Sequence, residues 1–178
     1  MIDVKRKDEA KASFDSYLRD GLIKKEDNIL AQKMHLENAR ISLDLAEEIA
    51  QSPLKPHMWV IVVSYYSMFY IANAVLLELG YKVQDKIVHQ VTSDALIVLV
   101  LHRLEERLLE GYESAQSEAL EIASVKADEI IGNYDHERGK RRDFQYKMLE
   151  GLKESKAQTS LKRAREFNFE MRKLLDSL

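Results

Sequence analysis

The chain has no cysteine, so disulfide frameworks, thiolate metal sites and thiol nucleophiles are all excluded at once. It has only two prolines and six glycines in 178 residues. Sandwiches and barrels need a turn signal about every 8 to 12 residues, so this sparse punctuation predicts an all-α protein built from a few long helices. Glycine-rich phosphate loops are absent, because no two glycines lie closer than seven residues apart. There is no Gly-x-Ser-x-Gly nucleophile elbow. The residues three before the five histidines are Gln32, Leu54, Lys86, Leu99 and Asn133. None is acidic, which speaks against the Glu-x-x-His pattern of di-metal bundles and leaves no metal or cofactor expected.

What is present is 46% hydrophobic and 32% charged residues, the make-up of an ordinary globular chain, and its length predicts one domain over 1–178. The start is charged and carries no apolar stretch, so a cytoplasmic protein is expected. Met58 to Leu77 runs without a charge for the length of a membrane span, but it contains Ser64, Tyr65, Tyr66, Ser67, Tyr70 and Asn73. The central helix of a bundle is the better reading, and no membrane partner is expected.

Periodicity predicts an antiparallel bundle of five to six helices. The first covers 8–20, with Ala10, Phe14 and Leu18 on one face and Gly21 past its end. The second covers 26–51. Its polar series Lys33, Glu37, Arg40, Asp44, Glu47 and Gln51 predicts a water-facing side, with Met34, Ile41, Leu45 and Ile49 turned away from it. Pro53 and Pro56 end it. The third covers 57–79 and stops at Gly80. Its nearly continuous apolarity calls for a central position or a partner subunit. A fourth carries Ala95 to Leu108 and is interrupted by Gly111. A weaker helix at 112–131 repeats Ala115, Ala119, Ala123 and Ala127 every four residues. Residues 133–150 read as a loop leading into a helical turn, and 153–176 as the last helix.

Net charge is −3, yet residues 138–173 hold twelve Lys/Arg against five acids, a local +7 that leaves −10 on the rest. Within it, Arg138, Lys140, Arg141, Arg142 and Lys147 suit a nucleic acid or nucleotide phosphate, since arginines hold phosphates bidentately. The same residues also read as a solvated loop balancing Asp135, Glu137 and Asp143. Two spacings, Asp85 with His89 and His102 with Glu106, would pair on a helix. Tyr65, Tyr66 and Tyr70 read as core aromatics or as a base-stacking platform.

The run Ser64-Tyr65-Tyr66-Ser67-Met68-Phe69-Tyr70, ending at Gly80 and followed by Lys86-Ile87-Val88-His89, resembles the Tyr-Tyr-Ala-Met-Phe helix and downstream histidine of the HEPN superfamily. Ala39-Arg40 matches in position. Arg141-Arg142-Asp143-Phe144-Gln145-Tyr146 is similar to that family's Arg-Glu-x-Ala-Asp-Tyr segment, with Arg141 and Tyr146 matching and Arg142, Phe144 and Gln145 departing. The resemblance covers about 26–176, with 112–131 as an elaboration. It implies a homodimer, RNA-related work, and partnership with a minimal nucleotidyltransferase in a toxin and antitoxin pair. It also implies a polar site of Arg138, Lys140, Arg141, Arg142, Tyr146 and His89 for RNA or nucleotide. The family's ribonucleases use an arginine followed after four to six residues by a histidine. No arginine here is followed by a histidine within seven residues, so binding without that nuclease motif is expected, and an Arg141 and His89 ribonuclease across a dimer is the lesser alternative.

Overall fold

A computed structural model describes residues 2–132 and 139–178, and the side chains of 2–123 and 154–178. The order is α1 (Val4–Arg19), β1 (Ile23–Lys25), α2 (Ile29–Ala50), α3 (His57–Glu78), β2 (Tyr81–Val83), α4 (Val88–Leu99), a 3-10 turn at Leu101–Arg103, α5 (Glu106–Gly132) and α6 (Gly139–Asp176). The all-α expectation holds, with six α-helices among the described residues forming the bundle.

Local chemistry sets most boundaries. Asp3 caps α1 by accepting from the Arg6 amide, and Asn28 caps α2 by accepting from the Ala31 amide. After α1 and α3 the chain turns at Gly21 and Gly80, with φ of +71° and +81°, a region that glycine enters without a Cβ penalty. Those two turns aim β1 and β2 at each other. They pair antiparallel, Ile23 opposite Val83 and Lys25 opposite Tyr81. The Gly80 carbonyl accepts from the Glu26 amide at the ribbon's edge. This ribbon was not predicted, because three-residue strands are too short to display alternation.

α3 is the axis, packed against α2, α4, α5 and α6. It alone among the described residues is long and apolar enough to cross a membrane, and 72% of that window is buried inside the bundle. Most of its surface is therefore covered by the chain's own helices, which is the central position of the two alternatives. The main core joins Ile2, Ala10 and Phe14 of the N-terminal segment to Tyr65, Met68 and Val75 of α3, Leu96 of α4, Tyr112 of α5 and Phe167 of α6.

Three segment assignments are corrected. Gly111 does not interrupt a helix: α5 runs through it, and the break falls at Val100 to Glu105, around the 3-10 turn and an extended Leu104. Residues 112–131 are accordingly not a separate inserted helix, since Tyr112, Ala115 and Ala119 of α5 are core. Residues 139–150 are not a loop, because α6 begins at Gly139, and Lys, Arg, Gln, Met, Leu and Glu, all good helix formers, make up most of that stretch. The facing of α2 also differs. Ala39 and Ala46 are its buried residues, and Met34, Ile41 and Leu45 join Leu30 among the exposed large hydrophobics. Two alanines let α2 lie close to α3, which leaves the bulkier side chains outside.

Candidate functional site

The turn from Gly80 through β2 delivers the chain to α4 in an unusual state. Ile87 immediately precedes the helix at φ +46°, a left-handed conformation that is a true outlier for a β-branched residue. It holds His89, in the first turn of α4, against the aromatic face of α3. The His89 ring lies 4.8 Å from Phe69, 5.5 Å from Tyr65 and 6.0 Å edge-on from Tyr66, centroid to centroid. Tyr65 Oη and His89 Nδ1 are 2.7 Å apart. Behind them Tyr65 packs on Tyr112, which stacks on Phe167 of α6 at 5.3 Å.

Burial sets the charge state of the pair. It pushes the Tyr65 phenol well up and the His89 imidazole down, so near neutral pH a neutral phenol is hydrogen-bonded to a neutral imidazole. Tyr65 occupies Nδ1, which leaves Nε2 as the ring nitrogen for another partner. Tyr65 is core, fully buried, whereas Tyr66 keeps 37% of its surface exposed and forms the outer edge of the aromatic cluster. Tyr70 continues this band to His35 of α2, ring to ring at 5.9 Å. Burial lowers the His35 pKa as well.

Of the predicted site residues, His89 is the one whose side chain is described. Arg138 lies outside the described residues. Lys140, Arg141, Arg142 and Tyr146 fall in the first turns of α6, and their side chains are outside those described. The described core contacts of α6 begin at Ala157, well beyond Tyr146 in the chain. The two histidine pairings are not formed. His89 has Tyr65 in place of Asp85, which sits in the connector before α4. His102 receives Arg103 Nε at 3.1 Å, and Glu106 accepts from Lys7 at 3.3 Å, because the break between the 3-10 turn and α5 separates them.

A second polar cluster on the other side of α4 was missed. Arg6 Nη2 lies 2.7 Å from Asp94 Oδ1 and 2.7 Å from Glu113 Oε1, tying α1 to α4 and α5. Tyr17 Oη donates to Asp94 Oδ2 at 2.9 Å, and Ser93 donates to Glu113 at 3.2 Å. The Asp94 side chain is 2% exposed. A lone carboxylate followed by the run Ala95 to Leu101 was the available signal, since a charge in an apolar stretch requires a buried partner. Arg6, Gln90, Ser93, Glu113 and Gln116 line a cleft of about 330 Å³ over this cluster. Among the described residues no three His, Asp or Glu are grouped to hold a metal ion.

No protein-family model, curated protein or solved structure matches the chain.

Proposed function

We propose that this protein binds RNA or a nucleotide phosphate through the basic first half of α6, as a HEPN-like helical protein without the nuclease motif of that family. The observation that supports this reading is that three of the six cations on the described part of α6, residues 154–176, have no carboxylate partner among the described residues. Where α6 meets the bundle, Arg163 is held by Glu118 of α5, Arg165 by Glu47 of α2 and Lys173 by Glu170. Lys156, Lys162 and Arg172 are exposed and make no ion pair among the described residues. The sequence excess of Lys140, Arg141 and Arg142 lies further toward the start of the same helix. Multiple cations along one helix attract a phosphate backbone and release its counterions, so affinity depends steeply on salt.

Binding is proposed over cleavage because no arginine in the chain is followed by a histidine within seven residues, the spacing the family's nuclease motif requires. Fluorescence anisotropy of a labelled single-stranded RNA across a salt series tests the reading. Binding that weakens with salt and is lost in Arg141→Glu/Arg142→Glu is expected, with the RNA intact. Unchanged affinity in that variant removes the basic segment from consideration, and cut RNA revives the ribonuclease alternative. A second reading, a protein-interaction module, is favoured by the exposed apolar side of α2.

A further inference from the structure

We propose that the cleft between α4 and α5, over the network of Arg6, Asp94 and Glu113, binds a small aliphatic primary amine as its ammonium ion. The inference is independent of nucleic-acid binding by α6. Glu113, Gln116, Ser117 and Leu120 recur at i, i+3, i+4 and i+7, so α5 turns them to one side. With Gln90 and Ser93 of α4 they line a cleft of about 330 Å³.

Charge selects the sign of the ligand. One guanidinium serves two carboxylates, Asp94 and Glu113, each 2.7 Å from the same Arg6 Nη2, which leaves the cluster one negative charge in excess. Asp94 is engaged at both oxygens, by Arg6 and Gln90 at Oδ1 and by Tyr17 and Gln90 at Oδ2. Glu113 is one-sided. Its Oε1 accepts from Arg6 Nε at 3.0 Å, from Arg6 Nη2 at 2.7 Å and from Ser93 at 3.2 Å, and its Oε2 has no partner among the described residues.

A second acceptor is idle one turn further along α5. Gln116 is only 9% exposed, lines the cleft, and its buried Oε1 has no hydrogen-bond partner among the described residues. Such an acceptor is destabilising until a donor reaches it. An ammonium supplies what is missing. It carries the balancing positive charge and three N–H donors, for Glu113 Oε2, Gln116 Oε1 and the Ser93 hydroxyl, whose lone pairs remain. Leu120, 38% exposed, offers apolar surface to a short carbon chain. A metal ion fits less well, because among the described residues no three His, Asp or Glu gather, and an anion would meet the carboxylate excess.

Isothermal titration of the full chain with n-butylamine tests this, beside tetramethylammonium, a cation without N–H, and Nα-acetyl-lysine amide, which carries the same head group on a protein-like backbone. One n-butylamine should bind per chain and raise the thermal unfolding midpoint, and tetramethylammonium should do neither. Gln116→Leu separates binding from folding. It removes the idle acceptor, so it should weaken the amine about tenfold or more while the chain becomes no less stable. Ser117→Lys, at an exposed position on the cleft, brings a tethered ammonium to the same acceptors and should exclude the amine with the Arg6 pairs intact. Failure of n-butylamine to bind, equal binding of tetramethylammonium, an affinity indifferent to Gln116→Leu, or a loss of stability in that variant overturns the proposal. A preference for Nα-acetyl-lysine amide overturns the free amine as ligand and assigns the site to a lysine of another protein.

Discussion

The Tyr65 hydroxyl sits 2.7 Å from Nδ1 of His89, within an aromatic cluster whose burial favours the neutral imidazole. The cost appears at acid pH. Burial holds both His89 and His35 below the ordinary imidazole value of 6.5, so the unfolded chain takes up protons that the folded chain refuses. Their contribution to stability is complete above that value and is lost as pH falls from it toward the depressed folded values. The thermal unfolding midpoint should drop over this interval, and His35→Gln/His89→Gln should flatten the dependence. An equal drop in both proteins would assign the acid sensitivity to other groups.

Removing one member of the Arg6 and Asp94 pair leaves a carboxylate buried without its cation. Arg6→Met is expected to cost about 3 kcal/mol, the usual scale for a broken buried pair. The Asp94→Asn change should recover part of that loss when combined with it, because the amide no longer needs a counter-charge. Urea unfolding of the two single variants and the double variant measures the coupling. Additive losses would mean that Tyr17 and Gln90 alone satisfy Asp94.

How much of this was legible depends on whether a feature is local. Gly21, Pro53, Pro56 and Gly80 punctuate the chain, so α1, α2 and α3 could be bounded to within a few residues at most ends. The uncharged run of α3 announced its central place. The facing of α2 was not legible, because its apolar and polar stripes lie side by side and the buried positions are alanines, which carry little signal. The β1 and β2 pairing, and the reach of Arg6 to Asp94, are long-range and leave no local pattern. His89 could be singled out from its setting after Gly80, but its partner Tyr65 could not, since Asp85 was nearer in sequence.

The alanines of α2 and α5 mark positions where two helices come close. Ala46 is fully buried beside Val60 and Ile61 of α3, and Ala115 is fully buried in the main core. Ala46→Leu or Ala115→Leu should destabilise by about 1 to 3 kcal/mol through overpacking. Ala123, from the same four-residue series, is exposed, and Ala123→Leu should be nearly neutral. Chemical unfolding of the three variants distinguishes a packing series from a merely compositional one.

The glycines make opposite predictions from one residue type. Gly80 has φ +81° and open space where a Cβ would stand, so Gly80→Ala meets no clash and loses only backbone freedom. Forcing alanine into that left-handed region should cost about 1 kcal/mol. Gly111 lies inside α5 with helical backbone, and an added Cβ would meet Arg163 Cγ at an ordinary 3.8 Å. There alanine restricts the unfolded chain and favours the helix, so Gly111→Ala should stabilise by about 0.5 to 1 kcal/mol. Thermal or urea unfolding of the two variants gives the signs directly. A destabilising Gly111→Ala would mean that the contact of the new methyl with Arg163 outweighs the gain in helix propensity.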